Sequence, residues 1–365
     1  WGDAPDPHGT LTITNSIIWG HIYDGITAQW REDQITITYS NIEGGWEAGG
    51  EGNINANPLF ANPGEGDFRM LSSSPSIDAG NNDAIQEPLD LNGEERIQDD
   101  NNDGNPVVDM GVYEGGIPTP RYFVNHLAVD PGEDDPDRGK EWGKAFQSLE
   151  TAIEVATEEA LSSYVVAEIW VVAGTYSSNF NIESGLQIYG GFVGIEESLE
   201  ERNWVDNKTT LTVVEGSVVT FSDVSELTLL DGFTITGGNE DTGGGIKVEG
   251  VPARNRIGPK IANSKITANS ATTGGGIYIS EASPQIINCA ITGNIASSHG
   301  GGIYISSGNS NVSPTVINCM ITGNTAESQG GGVFSDKPTP TFTNCTISGN
   351  EANQGDGDYF GTYGS

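Results

Sequence analysis

Apolar and polar positions alternate in short runs that recur along the second half of the chain. "PQIINCAIT" (Pro284 to Thr292), "PTVINCMIT" (Pro314 to Thr322) and "PTFTNCTIS" (Pro340 to Ser348) are each followed by "GN" and a small-residue stretch. A second short run such as "GGGIYIS" then closes the unit. Aligned on Asn263, Asn288, Asn318 and Asn344, the units repeat at 25, 30 and 26 residues. That period marks a stacked solenoid. Two or three short strands per turn, separated by Gly and Asn, predict an all-β fold, a parallel β-helix. Strict alternation places Ile286, Asn288 and Ala290 on one face, and Ile287, Cys289 and Ile291 on the inner one.

Stacked coils lie about 4.8 Å apart, so equivalent residues form columns along the axis. Cys289, Cys319 and Cys345 make one such column, with Ser264 before them and Ser16 as the matching residue near the N-terminus. No second Cys or His stands at ligand spacing from any of them, so they read as interior packing. The asparagines of "GN" (Asn294, Asn324, Asn350) read as turn residues that tolerate left-handed backbone and are able to bond along the stack. Gly274 to Gly276, Gly300 to Gly302 and Gly330 to Gly332 mark a corner.

Upstream, "AEIWVVAGTY", "GLQIYGGFVG", "TTLTVVEG" and "GGGIKVEG" continue the strands less regularly. Before them, "EWGKAFQSLETAIEVATEEAL" spaces Phe146, Leu149, Ile153, Ala156 and Ala160 by threes and fours, which predicts a helix over 141–161. A helix there would cover the open edge of the first coil.

Composition narrows the function classes. Acidic residues outnumber basic ones 51 to 15, a formal charge of -36. Nucleic acid and anionic membrane surfaces are therefore poor partners, and cations are better ones. No apolar run is long enough to span a membrane, and the opening "WGDAPDPHGT" lacks the features of a secretory signal. The chain reads as a mature product or a piece of something longer.

The segment "YFVNHLAVDPGEDDPDRGKEWGKAFQSLETAIEVA...EIWVVAGTY" resembles the opening of bacterial cell-surface proteins of the right-handed parallel β-helix repeat class, related to the pectin-lyase-like superfamily. "LTITNSIIWG...NINANPLFANPGEGDFRMLSSSPSIDAGNND...VVDMGVYEGG" resembles the closing part of the same proteins. The resemblance implies a secreted or surface-attached protein and no particular activity. Here the closing part comes first, at 1–116, and the opening part follows at 122–365 after a linker, 117–121. The β-helix is thus expected as two incomplete parts.

If Ser365 is set against Trp1, Asn344 and Asn15 become successive members of one column, 36 positions apart. Three arrangements satisfy this: copies docking head to tail, one frame of a longer tandem chain, or a permuted monomer. The monomer is strained unless residues 41–114 help to span the gap. Its coils would stand about 35 Å tall, while Gly115 to Arg121 reaches only about 24 Å. Docking is expected to use Trp1, Leu11, Ile13, Ile17 and Trp19 at one end and Phe342, Ile347, Tyr359, Phe360 and Tyr363 at the other.

"DDNNDGN" places Asp99, Asn101 and Asp103 at alternate positions before Gly104 and Asn105, the first half of a calcium loop. Met110 takes the place of the bidentate Glu, with Asp109 beside it and Asp90 available as a further ligand. Calcium is the expected cofactor. Lyase chemistry needs a basic residue grouped with acids, yet His299, Lys337 and Lys265 sit in different parts of their repeats. The expectation is a non-enzymatic, extracellular or cell-surface structural protein that assembles with copies of itself. The alternative is a surface protein that binds or degrades glycans.

Overall fold

The computed structural model describes residues 10–20, 35–46, 50–63, 66–101, 103–129, 131–163, 166–251, 258–308, 312–337 and 339–362. The chain divides into two compact units, 1–119 and 120–365.

The larger unit is a parallel β-solenoid. Its first sheet has eight strands, from Arg121–Val124 and Ala167–Val172 to Thr315–Ile317 and Thr341–Thr343. A second, seven-stranded sheet runs from Gly174–Ser177 to Thr346–Ser348, and a third from Phe180–Ile182 to Tyr359–Thr362. A five-stranded sheet, ending at Glu351–Ala352, fills a fourth side of the later coils. Neighbouring strands pair in parallel register one coil apart, as in Ile286 with Val316 and Ile291 with Ile321.

The corner between the first two sheets corrects the expected alternation. Asn263, Asn288, Asn318 and Asn344 adopt φ of 49°, 55°, 54° and 54°, in the left-handed region. One such residue reverses the parity of the strand, so Ile286, Cys289 and Ile291 all point inward, and Ile287 points out. The sulfur column is interior, as Cys289 and Cys319 are each 3% exposed. Each thiol bonds back to the carbonyl two residues earlier, Ile287 and Ile317, and Ser264 Oγ does the same to Ala262. The neighbouring Cys319 thiol and burial push the Cys289 thiol well above its ordinary range, as suits a packed side chain.

The asparagines of "GN" are not the left-handed residues. Gly293, Gly323 and Gly349 are, at φ of 66°, 65° and 68°. Asn294 and Asn324 are fully buried, and each amide nitrogen donates to the Oδ1 of the asparagine one coil on.

The N-terminal helix is shorter than expected, Leu149–Ser163. Residues 142–144 form a single 3-10 turn instead. Phe146 is held in an extended bridge, its N–H donating to Phe123 O and its carbonyl accepting from Asn125. Helix can therefore begin only after Ser148, whose Oγ accepts the N–H of Thr151. Leu149, Ala152, Ile153 and Ala156 are buried in the same core as Val124 and Ile169, so the helix closes that end of the solenoid. The side chain of Ala160 lies outside the described residues.

The smaller unit repeats the same grammar. Leu11–Thr14 pairs in parallel with Ile35–Thr38, and Ile17–Ile18 with Asn41–Ile42. Beyond these, Phe60–Asn62 and Asp67–Met70 form an antiparallel pair, and irregular loops cover a core of Ile37, Ile42, Met70, Leu71 and Met110.

Candidate functional site

Two places concentrate features that the fold alone does not require. The first is a pair of open coil edges. Strands Thr341–Thr343, Thr346–Ser348, Glu351–Ala352 and Tyr359–Thr362 are the outermost members of their four sheets among the described residues. Leu11–Thr14 and Ile17–Ile18 are likewise outermost in the smaller unit, each in a two-stranded sheet.

The corner at Asn15 matches the corners of the larger unit in its left-handed backbone and in the bonds of the residues that follow it, while the Asn15 side chain itself bonds to the backbone of Asn81. Asn15 and Tyr39 have φ of 52° and 47°. Ser16 Oγ donates to Thr14 O and Ser40 Oγ to Thr38 O, two residues back in each case. Ser16 N–H donates to Ser40 Oγ at 3.2 Å, as Cys289 N–H does to Cys319 Sγ at 3.3 Å. Asn41 N–H donates to Ser16 O at 2.9 Å, as Met320 N–H does to Cys289 O at 2.9 Å. In both units the earlier coil gives the first kind of bond and the later coil gives the second.

Each unit, taken by itself, therefore has the same three inward columns. Two residues before the corner stand Ile261, Ile286, Val316 and Phe342 in one unit, and Ile13 and Ile37 in the other. Three residues after it stand Ile266, Ile291, Ile321 and Ile347, and Ile18 and Ile42. Between them is the column of Ser264, Cys289, Cys319 and Cys345, matched by Ser16 and Ser40. Interior members are buried to 3% exposure or less, while Phe342, Cys345, Ile347, Ile13, Ser16 and Ile18 are only half-buried.

The expected interface residues divide on this basis. Ile13, Phe342 and Ile347 lie in inward columns. Ile17 does not: its side chain lies against Gly111, and Ile18 takes the inward place. The left-handed Asn15 reverses the parity that pointed to Ile17. Leu11 is 47% exposed, Trp19 is half-buried, and Tyr359 packs on Phe342 with ring centroids 6.1 Å apart. Phe360 pairs with Phe334 through its backbone, but its side chain lies outside the described residues, as do Trp1 and Tyr363.

The second place is an acidic cluster in the smaller unit. The alternate residues of the expected calcium loop are spent on their own turn. Asp99 accepts the N–H groups of Asp103 and Gly104, Asn101 accepts that of Asp103, and Asp103 accepts that of Asn105. Asp90 likewise accepts from Asn92, Glu94 and Glu114. Of the expected ligands only Asp109 joins a convergent group, and its companions are Asp78 and Asp100, with one oxygen of each within 4.8 Å of the others. The residue that sequence spacing passes over, Asp100 between Asp99 and Asn101, is the one that turns inward.

Asp109 is 0% exposed, its carboxylate accepting the N–H groups of Asp78 and Gly115. Asp100 Oδ2 is buried without a hydrogen-bond partner. Glu114 accepts the Asp109 N–H and lies 3.5 Å from Arg96, the cation of this group. Burial pushes the Asp109 carboxyl up to about 7 and that of Glu114 up to about 8. Both folded-state values lie above the unfolded ones, so the stability these groups contribute is present in acid and is lost as pH rises through about 7 to 8. In chelator, the smaller unit is expected to melt about 5 °C or more lower above this window than below it. Differential scanning calorimetry across pH checks this, and a flat or rising profile would contradict it.

A polar cleft on the larger unit is lined by Glu215, Asn239, Glu240, Asp241, Ser270 and Thr272 among others, with no Lys, Arg or His in its described lining. No described helix is long and apolar enough to cross a membrane.

Comparison with known proteins gives one match. No curated protein and no solved structure matches the chain. The family model described as right handed beta helix region matches residues 245–362, the coils in which the asparagine and sulfur columns are continuous. Together with the observed topology, that match makes the solenoid of the larger unit a right-handed parallel β-helix.

Proposed function

We propose that this is an extracellular structural protein whose copies join end to end, the last coil of one receiving the first coil of the next, to build a fibre or sheath. One observation carries the reading: the three inward columns break off half-buried at Phe342, Cys345 and Ile347, and resume half-buried at Ile13, Ser16 and Ile18. Joining them would bury both sets and pair two rows of exposed backbone groups. The contact is heterologous, so it propagates instead of closing. No catalytic step is part of this role.

Negative-stain microscopy and sedimentation of the purified chain across concentration test it. Filaments with a subunit-length axial repeat are expected. Discrete monomers at every concentration would refute it.

Calcium fits the same reading at Asp78, Asp100 and Asp109, a set of hard oxygen donors with one buried oxygen otherwise unpaired. The ion would offset carboxylate repulsion that protons relieve only in acid. Added calcium is therefore expected to raise the melting temperature of the smaller unit above the pH window given above, and to do little below it. Equal effects on Asp109→Asn and the unsubstituted chain would remove the ion from this place.

A further inference from the structure

The asparagine column does not run off the C-terminal end of the solenoid. It is closed there. The amide nitrogens of Asn269, Asn294 and Asn324 donate to the Oδ1 of the asparagine one coil on, at 3.0, 2.9 and 2.9 Å. The same oxygen also accepts the backbone N–H of the earlier asparagine, at 3.1, 3.0 and 2.9 Å.

The third glycine of each run is small because the next coil crowds it, first with a backbone carbonyl 2.6, 2.5 or 2.4 Å from a Cβ on Gly276, Gly302 or Gly332, and then with the asparagine column. A Cβ on Gly276, Gly302 or Gly332 would stand 3.0, 3.1 or 2.8 Å from the amide nitrogen of the asparagine one coil on. In the last coil the equivalent position is Asp358, since Val333 pairs with Tyr359 and its N–H donates to Asp358 O. Asp358 Oδ1 accepts both the N–H and the amide of Asn350 at 3.0 Å. A carboxylate of the same coil thus occupies the place that an incoming asparagine fills elsewhere.

In the regular coils an asparagine follows six residues after each left-handed corner: Asn269 after Asn263, Asn294 after Asn288, Asn324 after Asn318 and Asn350 after Asn344. The residue six positions after Asn15 is His21, and after Tyr39 it is Gly45. Another regular coil would have to displace Asp358, whereas the coil at Asn15 brings no asparagine.

Building on the end-to-end reading, we infer that the joint has a single register, with Asn344 over Asn15 and Cys345 over Ser16 of a second copy. The bonds follow from those inside each unit. Asn344 N–H donates to Thr14 O, as Asn318 N–H does to Thr343 O. Cys345 N–H donates to Ser16 Oγ, as Ser16 N–H does to Ser40 Oγ. Ile17 N–H donates to Cys345 O, as Thr346 N–H does to Cys319 O. Phe342 then covers Ile13, and Ile347 covers Ile18.

Ser16→Cys in a full-length chain that also carries Cys319→Ser tests the register, because in-register neighbours on paired strands lie within disulfide reach and Cys319 would otherwise compete for Cys345. After mild oxidation and proteolysis, mass spectrometry is expected to find position 16 linked to Cys345, in covalent multimers. Thr12→Cys and Ile18→Cys, offset along the strands, are expected to give at least tenfold less. Multimers linked through position 12 or 18 would overturn the register and leave end-to-end assembly standing. The 16 to 345 link in monomers alone would uphold the register and overturn assembly between copies. Absence of both link and multimer would overturn both.

Discussion

Phe342→Asp abolishes end-to-end assembly while leaving the chain folded. Phe342 is half-buried in the free edge, packed on Tyr359 and on the end of the core. In the joint it would be enclosed between Val316 on one side and Ile13 of the next copy on the other. A carboxylate enclosed there without a partner costs about 2 to 5 kcal/mol, a loss in affinity of roughly 30-fold to several thousandfold. In the isolated chain the same carboxylate can still reach water, and only part of the packing is lost, about 1 kcal/mol. Sedimentation velocity and far-ultraviolet circular dichroism, read together, decide the matter. Filaments of unchanged abundance would remove Phe342 from any joint. Loss of β structure would show that the substitution reports on folding instead.

Asn294→Ala destabilises the larger unit more than a single hydrogen bond would suggest. The Asn294 carboxamide donates to Ile266 O and Asn324 Oδ1, and accepts from both the N–H and the amide of Asn269. Removing it leaves buried groups in two neighbouring coils without partners, at about 3 to 5 kcal/mol in total. Because each coil rests on its neighbours, the loss should concentrate there. Faster amide exchange is expected between Ile266 and Ala326, with Ala167–Val172 unaffected. Lys265→Ala, an exposed side chain on the strand one coil back, serves as the control at under about 0.5 kcal/mol. A cost below about 1 kcal/mol for Asn294→Ala would mean that water replaces the column.

Both substitutions turn on what the sequence showed only in part. The period of the repeat, the inward column at Cys289, Cys319 and Cys345, and the apolar face of the helix from Leu149 to Ala156 were all legible, because each depends on spacing along one chain. Of the inner partners of the sulfur column, Ile291 was legible and Ile286 was not. Alternation predicts them only while every residue stays extended, and Asn288 at φ 55° moves the inward place from Ile287 to Ile286. The same reversal at Asn15 exchanges Ile17 for Ile18 at the edge. Distance along the chain hid the acidic cluster: Asp78, Asp100 and Asp109 come together only once the loops of the smaller unit have closed.

The amino-acid sequence by itself determined that coils stack, where each begins, and which small residues line the corner, since these follow from residue type at a fixed interval. The tertiary structure decided which side chains face inward, which carboxylates share a buried space, and that Asp358 ends the asparagine column. These depend on backbone handedness at single residues and on groups brought together from distant parts of the chain, neither of which a local pattern encodes.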